Sequence, residues 1–245
     1  MDARIALVTG GIGAIGTDIC HALADMGCRL GALGHPSEAP RVAEWRAGFG
    51  GRDIAVELCD LGDFETTGAA IRQIEAALGP IDILVNAAGI TRDARFAKMT
   101  QQQWREVMSS NLDSVFNATR AVFEGMCQRG FGRIVNISSV NGQRGQFGQA
   151  NYSAAKAGMH GFTMAVAQEG AAKGVTVNTV SPGYIDTALA RQIRPDILEK
   201  LIAGIPAGRM GQPAEIARAV AFLCADEAGY ITGANLAVNG GLYMS

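Results

Sequence analysis

The chain has 245 residues, 48% apolar and 18% charged, with a formal net charge of -2, which supplies a large core and excludes a disordered chain or a polyanion-binding protein. Five cysteines (Cys20, Cys28, Cys59, Cys127, Cys224) without a C-x-x-C, and three histidines (His21, His35, His160) apart from carboxylates, predict neither a disulfide framework nor a metal site. No apolar run is long enough to span a bilayer and a strand begins within a few residues of the start, too early for a signal peptide, so a cytoplasmic protein without membrane or nucleic-acid partners is expected.

The first element is an apolar strand, Ala3–Gly10, running into the turn Gly11–Gly16 and a helix from Thr17 that stops at Gly27. Cys28–Gly34 reads as a second strand, Ala39–Gly50 as a helix, Asp53–Asp60 as a third strand and Phe64–Gly79 as a helix. Ile81–Gly89 is a near-continuous apolar run, the pattern of a strand covered on both faces. A long helical region from Thr100 to about Arg129 precedes strand five (Gly132–Ser139), the helix carrying Tyr152, strand six (Val175–Gly183), a helix over Pro213–Asp226 and a last strand in Ala234–Gly241. Strands alternating with helices, without repeats or a polar linker, predict one α/β domain over 1–245, a Rossmann-type doubly wound parallel sheet of about seven strands with helices on both faces. The stretch 183–211, patchily polar and containing Pro195 and Pro206, reads as a flap over a site.

Two stretches carry chemistry. Tyr152 and Lys156 stand one helical turn apart on one face, so an ammonium lies beside a phenol. A fixed cation favours phenolate and would lower the phenol from its usual ~10, making it an acid and base near neutral pH. Ser139, at the end of strand five, would face this pair, and together the three could hold and protonate a carbonyl oxygen. Taken alone, a Tyr and a Lys at this spacing more often mean a packed ring and a solvated charge. The glycine turn has two readings: Gly11, Gly13 and Gly16 fit G-x-G-x-x-G, whereas Thr9, Gly10 and Gly16 fit T-G-x-x-x-G-x-G with Ala14 at the middle glycine. Either places pyrophosphate on the amides of a helix N-terminus.

In order and at matching spacing, Thr9-Gly10-x-x-x-Ala14-x-Gly16, Asp60, Asn86-Ala87-Ala88-Gly89, Asn111, Ser139, Tyr152-x-x-x-Lys156 and Pro182-Gly183-x-x-x-Thr187 resemble the short-chain dehydrogenase/reductase family over essentially the whole chain. Ala14 and Ala87 depart from the usual glycine and asparagine, each by the smallest replacement. The resemblance implies Asn111, Ser139, Tyr152 and Lys156 as the catalytic set. It implies NADPH or NADH on Thr9, Gly10, Gly13, Ile15, Gly16, His35, Glu38, Arg41, Asp60, Leu61, Asn86, Ala87 and Gly89, then on Tyr152, Lys156, Pro182, Gly183, Ile185 and Thr187. In this reading Ser139 binds the ketone oxygen, Tyr152 protonates it, Lys156 holds the ribose, and Asn111 holds a water that relays protons.

Within the family, the segments around Gly89, NISSVNGQ, GQFGQANYS and SPGYI are most similar to the branch that reduces acetoacetyl-CoA to (R)-3-hydroxybutanoyl-CoA for polyhydroxybutyrate synthesis. That resemblance implies an acyl-CoA thioester as substrate, with Gln146, Phe147, Gln149 and Tyr184 shaping the acyl pocket and Asp93 and Lys98 near the thioester or pantetheine arm. It also favours a homotetramer, in keeping with apolar residues on several faces of the helix from Gln102 to Met126. The nearest alternative is a 3-oxoacyl-acyl-carrier-protein reductase of fatty acid synthesis, for which Arg129 and Lys173 could supply a basic docking patch. A nucleotide-sensing regulator that kept the fold and lost catalysis is a third reading, opposed by the intact catalytic positions. The loop after strand two has no acid closing the strand, places Glu38 where a ribose diol would be read and Arg41 where a 2′-phosphate would be, and lacks a basic residue at Gly13. Dual cofactor use is the expectation.

Overall fold

The computed structural model describes residues 3–52, 54–188, 190 and 194–244. Seven parallel strands form one sheet in the order β3-β2-β1-β4-β5-β6-β7, where β1 is Ile5–Thr9, β2 Arg29–Gly34, β3 Ile54–Leu58, β4 Ile83–Asn86, β5 Gly132–Ile137, β6 Val175–Pro182 and β7 Asn235–Val238. The helices are α1 (Ala14–Asp25), α2 (Val42–Ala47), α3 (Phe64–Leu78), α4 (Gln101–Met108), α5 (Ser114–Arg129), α6 (Val140–Arg144), α7 (Ala150–Gly170), α8 (Pro195–Ala203) and α9 (Pro213–Cys224). The expected doubly wound architecture is what the chain adopts. The first residue of the expected third strand, Asp53, lies outside the described residues.

Period-two alternation divides the core between the two faces. Ala6 and Val8 of β1 pack with Ile19, Cys20 and Leu23 of α1 and Ile216, Val220 and Leu223 of α9, while Ile5 and Leu7 pack with Ile71 and Ile74 of α3 and Val122 and Met126 of α5. Each of these side chains is almost wholly withdrawn from water, contributing roughly 1.5–3 kcal/mol in the larger cases. Strand order runs outward in opposite directions from β1 and β4, so a crevice opens at their carboxyl ends, where an open α/β sheet binds ligands.

Beneath that crevice the apolar reading of the strands missed a polar seam. Asn86 Nδ2 donates to Asn136 Oδ1 (2.8 Å) and Thr119 Oγ1 (3.2 Å), Asn136 Nδ2 donates to Thr163 Oγ1 (2.9 Å), and the Thr179 hydroxyl donates to the same Thr163 oxygen (2.9 Å). These groups tie β4, β5 and β6 to α5 and α7 in a buried layer, where each lost partner leaves a desolvated group. Asn136→Ala is therefore expected to lower stability by about 2–4 kcal/mol. Urea unfolding measures this, and a loss within error of zero would show the seam to be dispensable.

Three departures from the expected elements have local causes. The helix expected over Ala39–Gly50 is a 3-10 turn (Pro36–Arg41) followed by α2, because Pro40 has no N–H to continue an α-helical ladder. The long region after Thr100 is broken by a π-turn at Ser109–Asp113, where Asn111 Nδ2 donates to Val107 O (2.8 Å) and to Ile90 O outside the helix (2.9 Å). The stretch 183–211 contains α8, opened by Pro195 at its first turn, and is pinned at its ends by the Ile185–Gly211 bridge. Its residues 189 and 191–193 lie outside the described residues.

Candidate active site

The glycine turn resolves in favour of the second register. Gly10 alone in the turn has a positive φ (64°), and a Cβ there would stand 2.8 Å from Ala88 Cα. Gly16 packs the first turn of α1 onto this loop, since a Cβ would fall 2.1 Å from Gly10 O. Gly13 is the N-cap of α1 and has no side chain to bond the amides of the first turn. Ala14 opens the helix itself, which explains why alanine serves at that position.

Gly10, Gly13, His35, Glu38, Asp60, Leu61, Ala87 and Gly89 line one cavity of about 220 Å³, along with Cys59, Gly62, Ala88, Ile90 and Ser110. Glu38 is held rather than solvated: its carboxylate accepts from His35 N (3.0 Å) and lies 3.5 Å from Arg41 Nη1. Arg41 is exposed, donates to Ile12 O (3.3 Å) and does not line the cavity. Asp60 accepts from Gly62 N (2.9 Å) at the far wall. Two residues expected at the cofactor have their side chains turned into the fold. Thr9 Oγ1 accepts from the amides of Ala87 (3.2 Å) and Ala88 (3.3 Å), joining the ends of β1 and β4, and the buried Asn86 side chain faces the polar seam.

A second hollow of about 350 Å³ shares Ala87, Gly89 and Ile90 with the first, so the two form one continuous groove along the carboxyl edge of the sheet. It is lined by Ile15, Ser139, Gln149, Tyr152, Lys156, Pro182, Gly183, Tyr184, Ile185 and Thr187. Ser139 caps α6, accepting from Asn141 N (3.1 Å), and its hydroxyl stands close enough to the Tyr152 phenol to favour its ionisation. Lys156, only 4% exposed, donates from Nζ to Ile137 O (2.8 Å), and the nitrogen stands 5.6 Å from the Tyr152 ring centre. Asn111 sits one layer below: its Oδ1 is buried with no partner, 2.4 Å from where a Cβ at Gly89 would be, and that same Cβ would be 3.4 Å from Lys156 Nζ.

The electrostatics correct one expectation. Burial pushes the Tyr152 phenol up, with the nearby Ser139 hydroxyl opposing it and the Asp93 charge acting in the same sense as burial. Burial also pushes the Lys156 ammonium down, to about 7. The expected lowering of the phenol by a full cation one turn away is absent, because desolvation penalises both charged forms. Among the proposed substrate residues, Gln149 and Tyr184 reach the groove, whereas Lys98, Gln146 and Phe147 do not line it. Phe147 is 79% exposed, and Asp93 is joined to the groove through Gln149 Nε2 (2.9 Å).

Sequence reasoning missed Ser138, Asn141 and Gly142. Ser138 Oγ donates to Lys156 O (2.8 Å) and meets His160 Nε2 (2.9 Å), and a Cβ at Gly142 would stand 2.8 Å from the Lys156 carbonyl carbon. These contacts fix α7 against the end of β5; the paired serines and the glycine beyond them were the visible signal. Among the described residues no cluster of His, Cys, Asp or Glu forms a metal site, and no helix is long and apolar enough to cross a membrane.

A doubly wound sheet with a glycine-turn cavity at its switch point and a Ser, Tyr and Lys beside it defines an oxidoreductase that uses a nicotinamide nucleotide. The chain belongs to the short-chain dehydrogenase/reductase family, and its residues 11–243 match the family described as Enoyl-(Acyl carrier protein) reductase. It is 63% identical over 99% of both chains to a protein of Allochromatium vinosum named acetoacetyl-CoA reductase, and 52% identical over the full length of both to one of the same name from Cupriavidus necator. It is 43% identical, over 100% of this chain and 99% of the other, to a Vibrio cholerae protein named 3-oxoacyl-acyl-carrier-protein reductase.

Proposed function

We propose that the protein reduces acetoacetyl-CoA to (R)-3-hydroxybutanoyl-CoA, a step that serves polyhydroxybutyrate synthesis. The observation that carries this is the pairing of two hydroxyl donors, Ser139 and Tyr152, in a groove continuous with the glycine-turn cavity, in a chain so similar to proteins named for that reaction. A bound reduced nicotinamide would supply the hydride. The chain supplies the rest. Ser139 donates to the ketone oxygen, and Tyr152 gives that oxygen its proton as negative charge develops on it. Lys156 binds ribose hydroxyls, and Asn111, with its unpaired buried Oδ1, accepts from the water that returns a proton to the phenol.

Carrier-protein thioesters are the second reading, favoured by the 43% identical relative. Its docking patch is weakened here, because Arg129 is engaged by Asp82 (3.7 Å) and by Ile81 O. Rates with acetoacetyl-CoA and with the carrier-bound acetoacetyl group decide the matter: a clear preference for the carrier-bound form would overturn the proposal. The protein works as a homotetramer in this reading, with exposed Trp104 and the stacked Phe64–Phe116 pair as surface that another subunit would cover, and size-exclusion chromatography measures that state.

Both NADH and NADPH are proposed to serve as cofactors. Glu38 lines the cavity and is held there by two contacts, so its carboxylate can accept from ribose hydroxyls and repels a 2′-phosphate, while the adjacent Arg41 offsets part of that charge. Glu38→Ala is expected to raise kcat/KM with NADPH relative to NADH by about tenfold, the equivalent of one unfavourable charge contact. A strong NADPH preference in the wild type, unchanged by the substitution, would remove Glu38 from cofactor selection.

A further inference from the structure

Gln149 and Asn141 have one arrangement of their amides that satisfies their neighbours, and a carboxylate dictates it. An ionised Asp93 only accepts, so Gln149 must present its NH2 to Asp93 Oδ2 (2.9 Å) and its Oε1 inward. Asn141 must then offer its own NH2 to Gln149 Oε1 (2.9 Å), which leaves its Oδ1 buried and unpaired. The backbone N–H of the same Asn141 donates to Ser139 Oγ (3.1 Å) and takes one of that hydroxyl's two lone pairs. That N–H leaves the Ser139 proton free to turn to Tyr152 or to a substrate oxygen. The backbone is braced as well, since Ala94 N donates to Gly148 O (2.9 Å) and joins the Asp93 loop to the entry of α7.

We propose that Asp93 is a positioning residue: through Gln149 it fixes which way the amides of Gln149 and Asn141 face in the wall of the groove that holds Ser139 and Tyr152, and it sets a carboxylate at the edge of that groove. This rests on the reductase reading and goes beyond placing Asp93 near the thioester. Its charge works in the same sense as its geometry, because a carboxylate close to Tyr152 disfavours phenolate and keeps the phenol protonated. The other ionisable groups that line the groove with Tyr152 are Lys156 and Tyr184; Arg92, next to Asp93, is paired with Glu106 (2.8 Å). Reduction needs the phenol as a donor, so Asp93 favours the reductive direction at the alkaline end of the pH range.

Asp93→Asn and Gln149→Ala separate the effects. Asp93→Asn removes the charge and frees the Gln149 amide to flip, so the alkaline limb of the reduction profile should move down in pH and the rise of hydroxyacyl-CoA oxidation should move down with it. Gln149→Ala keeps the charge and breaks the chain, so kcat should fall roughly tenfold with the limb in place. Ultraviolet difference titration of tyrosinate, referenced to Tyr152→Phe, follows the phenol without substrate and should show the same downward move in Asp93→Asn. An inactive wild type on acetoacetyl-CoA would remove the proposed reaction while leaving this titration to judge Asp93. An unmoved phenol in Asp93→Asn, or a change confined to KM, would overturn the inference and make Asp93 a substrate contact only.

Discussion

Tyr152→Phe should lower kcat for thioester reduction by about 10²–10⁴-fold, the range carried by a positioned general acid. The variant keeps the ring that packs in the groove and removes the hydroxyl proposed to pass a proton to the ketone oxygen. Among the described residues the hydroxyl makes no hydrogen bond to a strand or helix, so the fold and cofactor affinity should be preserved. Steady-state rates, circular dichroism and cofactor fluorescence test this together. A variant that folds, binds the nucleotide and retains most of its rate would take Tyr152 out of the chemistry.

Lys156→Met should show a division between activity and stability. Loss of the ammonium would remove the proposed ribose contact and is expected to weaken cofactor binding and lower turnover by about 10²-fold or more. Stability should move the other way. The native ammonium is pushed from 10.5 to about 7, so the unfolded chain binds more protons than the folded one between those values, and stability of the wild type rises with pH through that window. The penalty is fully present below about pH 7 and is gone above 10.5. Methionine removes it at the cost of leaving Ile137 O without its donor. The net gain expected at pH 7 is on the order of 2–4 kcal/mol, vanishing towards pH 10.5. Urea midpoints of wild type and variant across this pH range provide the measurement, and a variant less stable than wild type at pH 7 would mean that the buried ammonium is better compensated than its surroundings indicate.

The seven strands, the turn at Gly10 and the Ser139, Tyr152 and Lys156 constellation were legible in the chain because each depends on local rules: period-two burial, glycine at a left-handed turn, and one helical turn between two side chains. What the tertiary structure decided depends on groups brought together from distant strands. Thr9 and Asn86 match the positions of cofactor residues, yet their side chains join β1 to β4 and β4 to β5, because strand pairing put the amides of Ala87 and Ala88 and a facing asparagine within reach. At the π-turn the side-chain amide of Asn111 bonds both Val107 O within the helix and Ile90 O, twenty-one residues away, a partner that only the fold brings near. The sign of the Tyr152 shift was set the same way: spacing predicts a neighbouring cation, whereas the burial that offsets it and the Asp93 charge arrive only when β4, β5 and α7 close around the groove. Local pattern determined which residues stand at the site; desolvation and long-range contacts determined what their charges do there.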